Sequence, residues 1–138
     1  MGYHDQNSGV KQITEPTKSW YWGQSQAGPY SLVWFDVIRI DGQEYVSGYV
    51  AWNGILMQSS CEAGAVRVQP IGAAYPPTTD AAPEGYTIEY DLGALGILQF
   101  NVSVELPLVQ STGHFRYMGK ILGSKMGEEV FEGKALGQ

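Results

Sequence analysis

Asp36 is the residue in this chain whose surroundings most suggest chemistry. Along 31–40 the even positions are Leu32, Trp34, Asp36, Ile38 and Ile40, and the odd ones are Ser31, Val33, Phe35, Val37 and Arg39. Both faces of such a strand are largely apolar, so the carboxylate has no watery side to turn to. Burial there raises its pKa above about 3.9 and makes it a neutral acid near pH 7, able to give a proton or donate a hydrogen bond. The alternative is structural: a buried carboxylate paired with a cation or a backbone amide is satisfied whether or not it acts. Just upstream, Trp20 and Trp22 share one strand face with Tyr21 opposite. The two indoles can form one wall of a pocket, or they can be ordinary aromatic core packing. His4, Asp5 and Asn7 fall in a glycine-bounded turn. That turn either orients an imidazole for acid–base work or pins the N-terminal segment through Asx-type hydrogen bonds.

Other chemistry finds little footing. The two histidines, His4 and His114, are far apart and Cys61 is the single cysteine. A metal site of nitrogen and sulfur ligands is therefore not expected, nor is an internal disulfide. No G-x-S-x-G elbow, Walker loop or dinucleotide fingerprint occurs. Cys61 reads as a small buried side chain, and His114 and Arg116 as exposed, with Tyr117 on the opposite strand face.

The elements that must hold these residues read as strands. Tyr86, Ile88, Tyr90 and Leu92 alternate with polar residues, as do Leu98, Phe100, Val102, Val104 and Leu106. Asp41-Gly42 and Asn53-Gly54 predict a meander over roughly 31–40, 43–51 and 55–61. Further strands are predicted near 65–70, 86–92, 97–106, 114–122 and 128–136. The fold class is all-β with about eight antiparallel strands, which can close as an up-and-down barrel or stack as a sandwich; the consecutive hairpins favour the β-barrel, and one of that size can just hold one small ligand. The proline-rich insert 75–85 cannot pair in a sheet and is either a lid or a long connection.

Length and charge narrow the partners. A chain of 138 residues is about one domain. With 8 Lys+Arg against 14 Asp+Glu, a grip on nucleic acid or on anionic lipid heads is not expected, and neither is stable membrane insertion. The absence of a charged leader or membrane-length apolar run gives a soluble, cytoplasmic expectation. Because the chain opens almost directly on a motif-rich segment, Met1 is read as an internal residue of a longer protein.

The motifs Gly2-Tyr3-His4-Asp5-x-Asn7-x-Gly9, Ser19-Trp20-Tyr21-Trp22-Gly23, Gly28-Pro29-Tyr30-Ser31-x-Val33-Trp34-Phe35-Asp36, Ser47-Gly48-Tyr49-Val50, Val66-Arg67-Val68-Gln69-Pro70 and Arg116-Tyr117-x-Gly119 run through most of the chain. As a set they resemble the lipocalin-like superfamily of carotenoid 1,2-hydratase, survival-factor-like lipid-binding proteins and fungal Diels–Alderases. The resemblance implies the C-terminal of two barrel-like domains, a partner in the form of an N-terminal barrel domain or a second chain, a lipophilic ligand, and neither metal nor redox cofactor. Gln6 and Ser8 stand where the hydratases carry a histidine and a tryptophan of the proton-handling site.

That departure turns the expectation away from hydration and toward a cofactor-independent cyclase of the Diels–Alderase type. It would close a [4+2] or hetero-[4+2] ring on a polyketide or terpenoid intermediate of secondary metabolism. Trp20, Trp22 and Trp34 would compress the substrate, with Tyr21, Tyr49 and Tyr117 completing its contacts. Asp36, His4 or Asn7 would polarise a carbonyl. A non-catalytic lipophile-binding module is the alternative, and a hydratase or isomerase the third reading.

Overall fold

The computed structural model describes residues 4, 6, 8–12 and 15–138. Alternating side chains place one face of each segment inward, and nine strands result: β1 (Thr17–Ala27), β2 (Tyr30–Arg39), β3 (Glu44–Trp52), β4 (Ile55–Ser60), β5 (Val66–Ile71), β6 (Gly85–Asp91), β7 (Ile97–Ser111), β8 (His114–Lys125) and β9 (Phe131–Gly137). They form one sheet in the order β4-β3-β2-β1-β9-β8-β7-β6-β5, antiparallel throughout. Sequence neighbours pair everywhere except at β4 and β5, and the first strand pairs with the last. This is an up-and-down barrel with one seam. Across the seam β5 lies against β2 and β3. The Tyr90 hydroxyl donates to the Val33 carbonyl at 2.8 Å, and the Gln58 side-chain amide donates to the Asp91 carbonyl.

The all-β reading holds, with nine strands where about eight were expected. The aromatic run at 19–23 belongs to a full strand that reaches Ala27. The predicted meander is β2, β3 and β4. Asn53 and Gly54 close its second turn with φ of 48° and 79°, the positive values that a two-residue hairpin turn requires. Strand β7 runs to Ser111 rather than ending near 106. Pro107, which cannot donate to a ladder, sits at a register shift that accommodates it. Gly85, assigned to the insert by the sequence reading, pairs with Ile71 and Ser103 as the first residue of β6. Cys61 also departs from expectation: it follows the end of β4 and is exposed rather than buried.

The barrel centre is filled. Tyr30, Trp34, Tyr86, Tyr90, Phe100 and Tyr117 are the largest fully buried side chains. Small residues on β1 and β9 make room for them: a methyl at Gly23 would overlap the Trp34 indole, and one at Gly137 would overlap the Tyr117 ring. Close packing of this kind fills the middle of the barrel among the described residues.

Candidate functional site

Asp36 is 1% exposed and lies on the inward face of β2, paired with Tyr21 on β1 and Val46 on β3. The Tyr75 hydroxyl, from the segment between β5 and β6, donates to Asp36 Oδ2 at 2.8 Å and also contacts Glu44 Oε1. One hydroxyl proton cannot serve two carboxylates, so this cluster favours holding an additional proton. Burial pushes the Asp36 carboxyl up to about 7; the Tyr75 hydrogen bond pulls it down, and Glu44 adds to the rise. Asp36 Oδ1 is buried with no partner among the described residues. The arrangement is that of a carboxylic acid able to release its proton near neutral pH.

A stability prediction follows from the direction of that shift. Unfolded, an aspartate titrates near ~3.9; folded, Asp36 titrates at about 7. Between those values the folded state binds more protons than the unfolded one, so this group's contribution falls as pH rises, by up to ~1.4 kcal/mol per pH unit. Asp36→Asn is expected to flatten that decline. Thermal unfolding midpoints of both proteins at pH 5 and pH 7.5 provide the check, and an identical pH response in the variant would show that Asp36 titrates normally.

From Asp36 a file of aromatic rings leads along the barrel mouth. The Tyr75 and Tyr21 ring centroids are 6.3 Å apart, and those of Tyr21 and Tyr86 5.2 Å apart. Tyr86 stacks on Tyr117 at 5.5 Å, and Tyr117 on Phe115 at 5.8 Å. Burial raises the Tyr21, Tyr86 and Tyr117 phenols above their ordinary range, with Asp36 adding to the rise at Tyr21. These phenols remain protonated and offer ring faces rather than bases. At this mouth a cavity of about 530 Å³ opens between the start of β1, residues 77–83, Tyr86, the β7–β8 turn and Gln138. Its volume suits a single small ligand.

The structure separates the aromatic residues singled out by sequence. Trp20 and Tyr21 line the cavity. Tyr21 is the inward residue, sharing a face with buried Gly23, Ser25 and Ala27, while Trp22 lies on the other face opposite Phe35. The two indoles therefore do not form one cavity wall. Trp34 is in the packed centre, Tyr49 is paired with Val33 on the outer face of β3, and Tyr117 lies buried between Tyr86 and Phe115. His4 is exposed, and Asp5 and Asn7 lie outside the described residues.

His114 was expected to be exposed; it is half-buried at the cavity, with Nε2 buried and without a partner among the described residues. Its position next to the β7–β8 turn weakens any inference from strand alternation. Ser19, also in the cavity lining, has a buried Oγ with no partner among the described residues. Neither residue type gives a sequence signal strong enough to mark it. Among the described residues no group of three or more His, Cys, Asp or Glu is placed to hold a metal, and no helix is long and apolar enough to cross a membrane.

Fold and cavity define a lipocalin-like β-barrel with a filled centre and a small-molecule cavity at one mouth. The chain is similar to the quinolone epoxide rearrangement protein penF of Penicillium thymicola, at 38% identity over 139 residues, covering 99% of this chain and 38% of that protein. It is similar also to the quinolone epoxide rearrangement protein asqO of Emericella nidulans, at 37% identity with the same coverage. The chain thus spans 38% of the length of these curated relatives. Crystal structures of CghA share the fold: the one with Sch210972 has a TM-score of 0.70 at 15% identity, covering 89% of this chain and 40% of that one, and a second CghA structure has a TM-score of 0.69. No family model matches the chain.

Proposed function

We propose that this barrel forms part of an isomerase of secondary metabolism that rearranges a lipophilic epoxide, with Asp36 as general acid. The observation that carries the reading is the buried Asp36 carboxyl, raised to about 7 and with Oδ1 unpartnered among the described residues. Epoxide opening needs a proton on the departing oxygen. Asp36 supplies it as one C–O bond breaks; a neighbouring hydride or carbon migrates to the electron-poor carbon, the oxygen becomes a carbonyl oxygen, and its proton returns to the carboxylate. Substrate and product have one formula, so the step consumes no co-reactant. Neither Asp36 nor Tyr75 lines the cavity, so this reading requires Tyr75, with the segment that bears it, to move aside before the substrate reaches Asp36. The similarity to penF and asqO, both named quinolone epoxide rearrangement proteins, supports this choice of substrate class.

A [4+2] cyclase remains the second reading, favoured by the cavity lined by Trp20, Tyr21 and Tyr86. Confinement of a folded conformer would supply its acceleration, with Asp36 polarising a carbonyl. In either reading the open cavity is completed by a second barrel domain or a partner chain. Leu106, Leu108, Val109, Met118 and Leu122 of β7 and β8 are exposed apolar residues that such a partner would cover. The two reactions are separated by incubating the natural protein with a quinolone-bearing aryl epoxide and, separately, with a linear triene. Conversion of the epoxide to a carbonyl isomer of unchanged mass is expected; cyclisation of the triene alone would replace the first reading with the second.

A further inference from the structure

The segment between β5 and β6 covers the acid and shapes the cavity together: Tyr75 lies on Asp36, and residues 77–83, starting two positions further on, form a wall of the cavity. Its ends are pinned. The Glu84 N–H donates to the Ile71 carbonyl at 2.9 Å, and Gly85 enters the ladder of β6. From Gly72 to Pro83 no backbone group bonds to another backbone group among the described residues, and the Ala81 N–H turns to Thr79 Oγ1 within the stretch itself. The hydrogen bonds that tie the stretch to the strands are those of the Tyr75 hydroxyl. Apolar contact adds the Tyr75 ring, 6.3 Å from that of Tyr21, and the buried Pro83. A segment so sparsely bonded opens at low cost once its tie is cut.

That tie depends on one proton. The register pairs Asp36 with Val46 and Ile38 with Glu44, so Asp36 and Glu44 lie on one face as diagonal neighbours, and the phenol bridges them. With one proton on the carboxylate pair, the phenol donates to one partner and accepts from the other, and both contacts are hydrogen bonds. With none, a single phenol proton faces two anions. One contact then sets lone pair against lone pair, and the two charges repel. No cation relieves them among the described residues. The other titratable group facing Asp36 is Tyr21 on β1, whose phenol is raised by burial and then by Asp36, and the exposed Arg39 at the end of β2 is paired with Asp41.

We propose that residues 72–84 form a strap latched over Asp36 by a proton shared between Asp36 and Glu44 through the Tyr75 hydroxyl, and that loss of this proton frees the acid and the cavity wall together. The strap's part in turnover rests on the reading of Asp36 as the acid of the epoxide rearrangement; the latch itself does not. Burial sets the sign of the linkage. Covered, Asp36 keeps its proton up to about 7; uncovered, it returns toward the ordinary ~3.9. Between those values a rise in pH weakens the latch, by up to about tenfold per pH unit, and above them the weakening levels off. Opening releases a proton and closing takes one up, so that closing the strap and loading the acid are one event.

The test is the ¹³C titration of the Asp36 carboxyl in the natural protein and in Tyr75→Phe, which keeps the ring and removes the hydroxyl. The hydroxyl lowers the Asp36 pKa through its hydrogen bond and raises it by holding the strap shut, so its removal shifts the titration in opposite directions under the two models. With the latch, the variant admits water and its carboxyl titrates lower by at least about one pH unit. The amide order parameters of residues 78–82 should also fall below ~0.6 in the variant at pH 5, where the wild type stays near ~0.8. A carboxyl that titrates higher, as loss of the bond beneath a strap still closed would give, or one that does not move, would overturn the proposal. Glu44→Gln, at an exposed position, leaves one anion for the one phenol proton. Strap resonances that move between pH 5 and pH 8 in the wild type should therefore stay in place in that variant, and the same movement there would remove the shared proton. Neither measurement uses an epoxide. A latch without epoxide turnover leaves the strap standing and sinks the reaction, whereas turnover with the Asp36 titration unmoved in Tyr75→Phe does the reverse.

Discussion

Asparagine at position 36 is expected to lower epoxide turnover by roughly 10²–10⁴-fold, the usual contribution of a positioned general acid. The replacement keeps the shape of the side chain and an oxygen for the Tyr75 hydroxyl, which now donates to Asp36 Oδ2. What it removes is the proton. Because substrate binding relies on the cavity rather than on Asp36, the loss should fall on kcat with KM little changed. The wild-type pH profile adds a second readout: the acid form of Asp36 is depleted above about 7, so kcat should decline as pH rises through that value. A variant with undiminished kcat, or a wild-type profile flat across that region, would remove Asp36 from the reaction and return it to a structural role. The [4+2] reading expects a much smaller loss in the same variant, since there the carboxyl only strengthens a hydrogen bond to a substrate held mainly by shape.

The largest effect on stability is expected from Trp34→Ala, a loss of about 3–5 kcal/mol. Trp34 has no exposed surface and its indole fills the space left by Gly23 on the adjoining strand. Alanine leaves a void bounded by a continuous antiparallel sheet, which cannot collapse without breaking its own ladder. Domains of this size have about 5–15 kcal/mol to lose, so the variant would sit near its unfolding threshold. Urea unfolding checks this: the midpoint should drop by more than 1 M if the slope is about 2 kcal/mol/M, and the slope itself should not change. Trp34→Phe should cost less, because it keeps an aromatic ring and removes the buried indole N–H, which has no partner among the described residues. A midpoint unchanged in Trp34→Ala would mean that the barrel centre is not packed around this ring.

How much of the site was legible varied with the range of the interaction. Asp36 was legible because both faces of its strand are apolar, and no arrangement of that strand could leave the carboxylate in water. The Asn53-Gly54 turn was legible because its backbone demand is local. The orientation of the aromatic run was not. Trp20, Tyr21 and Trp22 alternate whichever way the strand faces, and the inward choice of Tyr21 depends on Gly23, Ser25 and Ala27 making room for rings from other strands. Tyr75 was invisible for a related reason. Its link to Asp36 spans 39 residues of chain and exists only because the segment between β5 and β6 folds back over the mouth. His114 was misjudged because strand alternation says little beside a turn.

By itself, then, the sequence determined that the chain is built of antiparallel strands, where the tight turns fall, and that one carboxylate must be buried. These follow from two-residue periodicity, from positive-φ residues and from the cost of exposing apolar faces, all of which act over a few residues. Only the tertiary structure decided that the barrel closes through β1 and β9 and that its centre is filled. It alone placed Tyr75 against Asp36, and set a cavity at the barrel mouth between the start of β1, residues 77–83 and the β7–β8 turn. Those outcomes depend on which strands become neighbours and how far each extends, and no residue carries that information apart from the partners it meets across the sheet.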